Sequence, residues 1–341
     1  MSVSESTASW DALQETIATA RTELMAAAPD AASAAEADAY FMRLMTAGLD
    51  DVFLGHLRSE NGLTRALPTR GAPNPDYVMW HAGVDPTRHY RLEGCLHDSE
   101  RVGVGLYSIS PTGVALLAGY AAFDRVTTGK DGRFVLHIGA DAKGKGALTL
   151  PPTARVILVR VLHRAPGRSC SLALEGGAVQ PKFNSAHGHC EEALARAAQS
   201  ALRAVRLFMQ WSRVTSASPN RILAAPASMA DEVQGDPDTN YGLGYYELGA
   251  GEWLEALIPE GLNGYWSLHA YNHWCESLPG AGAHDLNAVP DPDGRIRVRI
   301  GPAVPPGLAN RIDTLGRRRG ALVFRAIGAT TTQLPQTTLQ R

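Results

Sequence analysis

Nowhere in this chain do eighteen apolar residues follow one another, and Met1 to Trp10 holds no basic region leading into an apolar stretch. Neither a membrane-spanning helix nor a secretion signal is expected, and the chain reads as cytoplasmic. Basic runs are equally scarce. At a formal net charge of −2, only Arg317, Arg318 and Arg319 stand together, and a solvated turn accounts for them. Nucleic acid and anionic membrane are therefore not expected partners, because each needs a concentrated positive footprint. The cysteines Cys95, Cys170, Cys190 and Cys275 are scattered without a close pair, which argues against a disulfide framework and a zinc cage alike. No Gly-x-Ser-x-Gly elbow, His-Glu-x-x-His or dinucleotide glycine fingerprint occurs, so the common hydrolase and nucleotide-cofactor types are disfavoured.

Two partial motifs fail on chemistry. Gly139 to Gly146 approaches a phosphate-binding loop after a strand, but its eighth position is Gly146, which has no hydroxyl for magnesium. Pro151 and Pro152 also block the helix whose N-terminus should hold the phosphate. A mobile hairpin loop is expected there instead. The His187-Gly188-His189 pair has the spacing of some metal-binding barrels, yet it runs straight into a helix rather than along a strand. It reads as a polar helix start, with Glu191 and Glu192 near the positive end of the dipole.

What is present is turn-rich and globular: 45% hydrophobic and 19% charged residues, with 34 glycines and 21 prolines in 341 residues. Leu13, Ile17, Ala20 and Leu24 recur at helical spacing. Phe41, Leu44, Met45, Gly48 and Val52 do so again after a capping-box pattern at Ser33 and Glu36. A longer stripe, Leu194, Ala198, Ala201, Leu202, Val205, Phe208 and Met209, predicts a helix from about 190 to 213. Short alternating segments fill the regions on either side of it, as antiparallel strands do. The organisation is a helical segment 1–73, a β module 74–185, a connecting helix and loop 186–234, a second β module 235–330, and a tail 331–341 expected to fray.

The two β regions look like copies of one unit. Strands at 90–96, 102–107, 134–138 and 156–161 correspond to 253–258, 265–271, 296–300 and 321–326. Tyr107 and Tyr271 lie 164 residues apart, Asp131 and Asp293 lie 162 apart, and Arg160 and Arg325 lie 165 apart, all in the same order. Features shared by both copies, the Asp-Gly turns and the Arg160/Arg325 pair, serve the fold. Chemistry is sought where the copies differ.

Asn74-Pro75-Asp76-Tyr77, Tyr90-Arg91-Leu92, Gly94, Asp131-Gly132, Leu150-Pro151-Pro152 and Val159-Arg160 form one series of short motifs. Gly235-Asp236-Pro237, Tyr265-Trp266, Asp293-Gly294 and Asn310 to Gly316 continue it. In that order the chain resembles the bacterial family called domain of unknown function 1214, over about 74 to 328. The resemblance implies a jelly-roll-like or sandwich architecture with helices before the sheets, and it supplies no catalytic residues. One departure is that Asn310-Arg311-Ile312-Asp313-Thr314 stands where the family pattern has Asn-Trp, which puts a wall of the usual site in doubt. The expected fold is mainly β within α+β, built from two related antiparallel modules, N-terminal helices and one connecting helix.

The segment from Tyr265 to Glu276 is the most unusual. As a strand it sets Trp266, Leu268 and Ala270 on one face and Tyr265, Ser267, His269 and Tyr271 on the other. Its first-module counterpart offers Gly103 and Gly105 in place of Ser267 and His269. One hypothesis is an enzyme of lyase, hydratase or isomerase type, needing neither metal nor organic cofactor, acting by general acid and base on a small hydroxy or carbonyl compound. His269 would be the acid or base. Tyr271 and Tyr107 would polarise an oxygen, and Glu255 or Glu93 would orient or share the proton. Trp253, Tyr265 and Trp274 would shape an apolar wall, with Ser267, Arg91 and Asn272 as further binding groups. The other hypothesis is a non-catalytic β-sandwich that binds a carbohydrate or small molecule on an aromatic platform. Either way the partner is a small molecule, and a homo-oligomer is left open.

Overall fold

A computed structural model describes residues 3–50, 59–65, 71–110, 115–163, 168–176, 188–226, 229, 234–329 and 333–341. Helices α1 (Val3–Ala27) and α2 (Ala31–Leu49) precede the first sandwich. Its larger sheet has the order β1-β2-β3-β9-β5-β6, formed by Ser59–Glu60, Leu63–Arg65, Tyr77–Gly83, Ala154–Leu162, Arg101–Ile109 and Ala115–Asp124. Its smaller sheet has the order β10-β4-β7-β8, formed by Ser171–Glu175, Tyr90–Cys95, Arg133–Gly139 and Ala147–Thr149. A short helix α3 (Arg125–Thr128) follows β6, and α4 (Gly188–Ser216) leads into the second sandwich.

That second sandwich pairs a sheet β11-β12-β18-β14-β15 with a sheet β17-β16-β13-β19. The first comprises Ile222–Ala224, Thr239–Glu247, Arg319–Ile327, Trp266–Tyr271 and Ser277–His284. The second comprises Arg311–Ile312, Arg297–Ile300, Trp253–Leu257 and Gln336–Gln340. From β2 onward each strand has a counterpart in the same place, so the two modules share one topology. Even the exceptions recur: β7–β8 and β16–β17 are parallel pairs among antiparallel ones. So do the irregularities, because a bulge precedes Tyr107 in the β5–β6 ladder and another lies between His269 and Tyr271 in β14–β15. Bulges re-aim side chains, and here each one sets a tyrosine beside an arginine.

Alternation along the strands builds two apolar interiors. Val102, Val104, Leu106, Leu92, Leu136, Val159 and Val161 fill the first. Trp266, Leu268, Ala270, Leu254, Val298, Leu322 and Phe324 fill the second. A third cluster joins α1, α2 and α4 to the outer face of the second large sheet through Tyr40, Phe41, Val205, Phe208, Tyr271, Trp274 and Val323. Trp274 stacks on Tyr40 with ring centroids 5.7 Å apart and donates Nε1–H to the Ser33 carbonyl at 2.9 Å.

Four expectations change. The chain end does not fray: β19 pairs with β13 along its whole length and closes the smaller sheet. The N-cap of α2 is Asp30, whose carboxylate accepts from the Ser33 amide at 2.8 Å, while Glu36 reaches away to Arg317 and Asn272. The Gly139–Gly146 segment is not a hairpin, because it returns the chain parallel to β7. Arg317 and Arg319 are not merely solvated, since they pair with Glu36 and Glu247. His187 and the side chains of His189, Cys190, Glu191 and Glu192 lie outside the described residues. Among the described residues, no helix is long and apolar enough to cross a membrane.

Candidate functional site

The outward faces of the two large sheets meet, and each module completes the other. The turn Ala72–Asp76, which leads into the first module, inserts against the second module's outer face. Gln234–Asp238, which leads into the second, does the same against the first. Arg325 on β18 donates to the Tyr271 hydroxyl at 3.0 Å and to the Ala72 carbonyl at 2.6 Å. Arg160 on β9 donates to the Tyr107 hydroxyl at 2.8 Å and to the Gln234 carbonyl. Ala72 and Gln234 both adopt positive φ, at 52° and 58°, a conformation non-glycine residues hold only where surrounding contacts fix it. Within each turn the first Asx side chain accepts the amide two residues on, Asn74 for Asp76 and Asp236 for Asp238. The repeated arginine–tyrosine pair is thus a fastener between modules.

Inside this frame the poles differ. In the second module Tyr265 accepts from Asn74 Nδ2 at 2.7 Å and donates to Asp76 Oδ2 at 2.7 Å, with Ser267 Oγ also 2.7 Å away. His269 follows on the same face, its Nε2 3.8 Å from Asp76 Oδ2. It is 4% exposed, and its Nδ1 has no hydrogen-bond partner among the described residues. Burial holds the imidazole well below its ordinary pKa, and the Arg325 and His284 charges push the same way, so the ring is neutral. Burial also raises the Tyr265 and Tyr271 phenols, so they stay protonated.

The first module's pole carries Arg101, Gly103 and Gly105 at the equivalent positions. Tyr120 on β6 donates there to Asp236 Oδ1 at 2.8 Å, and Arg101 donates to Tyr120 at 2.9 Å and pairs with Asp238. The exchange is sterically matched across a strand pair. Gly105 stands opposite Tyr120, whereas His269 stands opposite Gly282. A methyl group on Gly282 would sit 2.3 Å from His269 Cδ2. Gly282→Ala is therefore expected to displace the imidazole and cost about 1–3 kcal/mol in denaturant unfolding. An unchanged midpoint would show that the ring is not held against this glycine.

Not all candidate residues gather here. Tyr265, Ser267, His269 and Tyr271 share the seam, and Tyr107 occupies the opposite pole. Glu93, Arg91, Glu255 and Trp253 do not join them, because β4 and β13 belong to the smaller sheets. The polar faces of the two sheets in a sandwich point away from each other across a core about 10 Å thick. Glu93 pairs with Arg91, and Glu255 lies 3.6 Å and 3.5 Å from Arg297 and Arg299. Trp274 and Asn272 lie past the end of β14 against α2, where Asn272 donates to Glu36 and Glu276. Sequence reasoning missed Asp76, Asn74 and Arg325 as parts of the site. The signal was available: Asn74-Pro75-Asp76 and Asp236-Pro237-Asp238 precede the first strand of the two copies. Among the described residues, no group of three or more His, Cys, Asp or Glu is placed to hold a metal ion.

No family model matches the chain, and none of the curated proteins matches it. A solved structure of an uncharacterised protein from Burkholderia cenocepacia aligns with a TM-score of 0.83 at 23% identity, covering 98% of this chain and 96% of that one. The VPA0106 protein from Vibrio parahaemolyticus gives 0.48 at 11% identity, over 89% and 97% of the two chains. The vicilin from Solanum melongena gives 0.24 at 11% identity, over 87% and 88%. The first likeness shows the fold alone. The other two are too distant to carry an argument.

Proposed function

We propose that the protein transforms a small hydroxy or carbonyl compound by general acid–base chemistry centred on His269. One observation carries the proposal: a neutral, buried imidazole has an Nδ1 uncommitted among the described residues while a carboxylate lies behind its Nε2. Base, orienting carboxylate and a third supporting group form the arrangement by which proteins activate a proton acceptor. Asp76 lies 3.8 Å from Nε2, beyond hydrogen-bond distance, and its charge favours the tautomer with Nε2–H on that side, which leaves the Nδ1 lone pair to take a proton. Asn74 and Ser267 donate to Tyr265, so its own proton is directed at Asp76 and stabilises the carboxylate. Tyr271 is a positioning residue, since its hydroxyl already donates to the Pro73 carbonyl at 2.9 Å and accepts from Arg325. A ring so deeply buried suits only a small molecule. The carbohydrate-platform alternative has less support, because Trp253, Tyr265 and Trp274 share no common surface.

The test is a thermal-shift screen of purified protein against hydroxy and carbonyl metabolites, followed by mass spectrometry of each hit. His269→Gln is expected to retain ligand binding and lower turnover by about 100-fold or more, the range for loss of a positioned base. Unchanged turnover in this variant would sink the assignment. Hits that bind but return unaltered would favour the non-catalytic reading.

A further inference from the structure

A second site lies away from the seam, where the ends of α1 and α4 meet the end of β12 and the start of β18 in the second large sheet. A cleft of about 290 Å³ opens there, with Ala27, Pro29 and Met209 as its apolar wall and Arg213, Glu247 and Tyr245 among its polar lining. The volume suits a molecule of metabolite size, smaller than a drug-sized ligand. Most polar groups around it are committed. Arg319 gives Nε and Nη2 to one oxygen of Glu247, at 3.1 and 2.6 Å, and lies 3.6 Å from Asp30. Tyr245 is 2.8 Å from His273 Nδ1, and Ser212 donates to the His273 carbonyl at 2.8 Å.

Two groups keep unused capacity, one of them a single oxygen of a carboxylate whose charge Arg319 already balances. Arg213 is exposed and makes no ion pair among the described residues. Glu247 uses Oε1 for Arg319, which leaves Oε2 uncommitted among the described residues. Helices α1 and α4 both end at this cleft, at Ala27 and Ser216, and their carbonyl ends add negative potential. That potential disfavours a simple anion despite Arg213, and it favours an ammonium group. Arg213 by itself favours a carboxylate, which its planar fork can grip with two parallel bonds. A ligand carrying only one of these groups would leave the other wall unanswered.

We infer that this cleft binds a free amino acid, its carboxylate on Arg213, its ammonium on Glu247 and the helix ends, and its side chain against Met209, Ala27 and Pro29. The site is independent of His269, so it stands or falls separately from the seam chemistry. The check is a thermal-shift panel of the twenty standard amino acids on the full chain, followed by calorimetry on the best of them. The same titration is repeated with the matching primary amine and the matching carboxylic acid. At least one amino acid is expected to raise Tm in a concentration-dependent way. The amine and the acid should each bind about 10-fold more weakly or worse, as loss of a charge-assisted contact implies. Arg213→Gln should weaken binding of the amino acid about 10-fold while the unliganded Tm stays near wild type, since an exposed side chain is replaced. The inference is overturned if no amino acid shifts Tm, if either half-ligand binds as tightly as the whole, or if Arg213→Gln leaves affinity unchanged.

Discussion

Lowering the pH from 7.5 to 5 is expected to cost the folded protein about 2 kcal/mol through His273 alone, with a further loss in the same direction from His269. Burial pulls His273 down to about 4, partly offset by Asp30, and holds His269 well below its ordinary value. The unfolded chain protonates both near the ordinary value of about 6.5, so it binds more protons than the native state throughout the interval below that value. Stability from these groups is therefore fully present above about 6.5 and falls with pH at about 1.4 kcal/mol per unit for each ring until its folded pKa is reached. The paired carboxylates do not mask this, because a group such as Asp293, held well below the ordinary carboxylate range by its bonds to Arg297 and the Arg295 amide, loses its contribution only as pH falls below that range. Urea unfolding at the two pH values is the measurement. A ΔG that stays level between them would mean that the rings charge in the folded state and are less buried than described.

The two modules were legible in the sequence because alternation is local. Eight strands fall within a few residues of their expected spans, and the repeat offsets predicted the common topology. The same local signal failed wherever partners are distant along the chain. Glu93 and Glu255 share strand phase with a polar face, but phase says nothing about which sheet of a sandwich a strand joins. Asp76 and His269 are brought together only because a lead-in turn crosses to the other module, a contact no periodicity encodes. The tail from Gln336 to Gln340 looked unstructured because Thr and Gln carry no apolar stripe. It is ordered by ladder bonds to β13, and an edge strand exposes enough surface to be polar.

Duplication also separates support from specialisation. The bulges, the Arg–Tyr fasteners and the Asx-Pro-Asp turns occur twice, so each is accounted for by the shared fold. His269 occurs once. Its space is available because Gly282 replaces the bulky strand partner that Tyr120 provides in the first module. An imidazole placed in a seam whose bulges, fasteners and turns are repeated is the asymmetry from which the acid–base proposal grows. Any account of this protein has to explain that substitution.

Arg325→Met is expected to destabilise the protein by about 3–5 kcal/mol, and Arg160→Met by a similar amount, because each change removes two buried hydrogen bonds from a charged donor, worth about 1.5–3 kcal/mol apiece. Arg325 is buried, and its removal leaves the Tyr271 hydroxyl without its donor and the Ala72 carbonyl without its donated bond. It also strips a buried cation from the surroundings of Tyr271, where Asp76 acts as well. The methionine restores volume but neither bond. Because each arginine fastens one module to the turn preceding the other, the loss should release the two modules from each other rather than melt one interior. Chemical denaturation of Arg325→Met followed by tryptophan fluorescence should then depart from a single transition, with Trp266 and Trp274 in the second module reporting separately from Trp80 in the first. A destabilisation below about 1 kcal/mol, the size of a surface change, with one sharp transition, would show that the two sandwiches hold together without these fasteners.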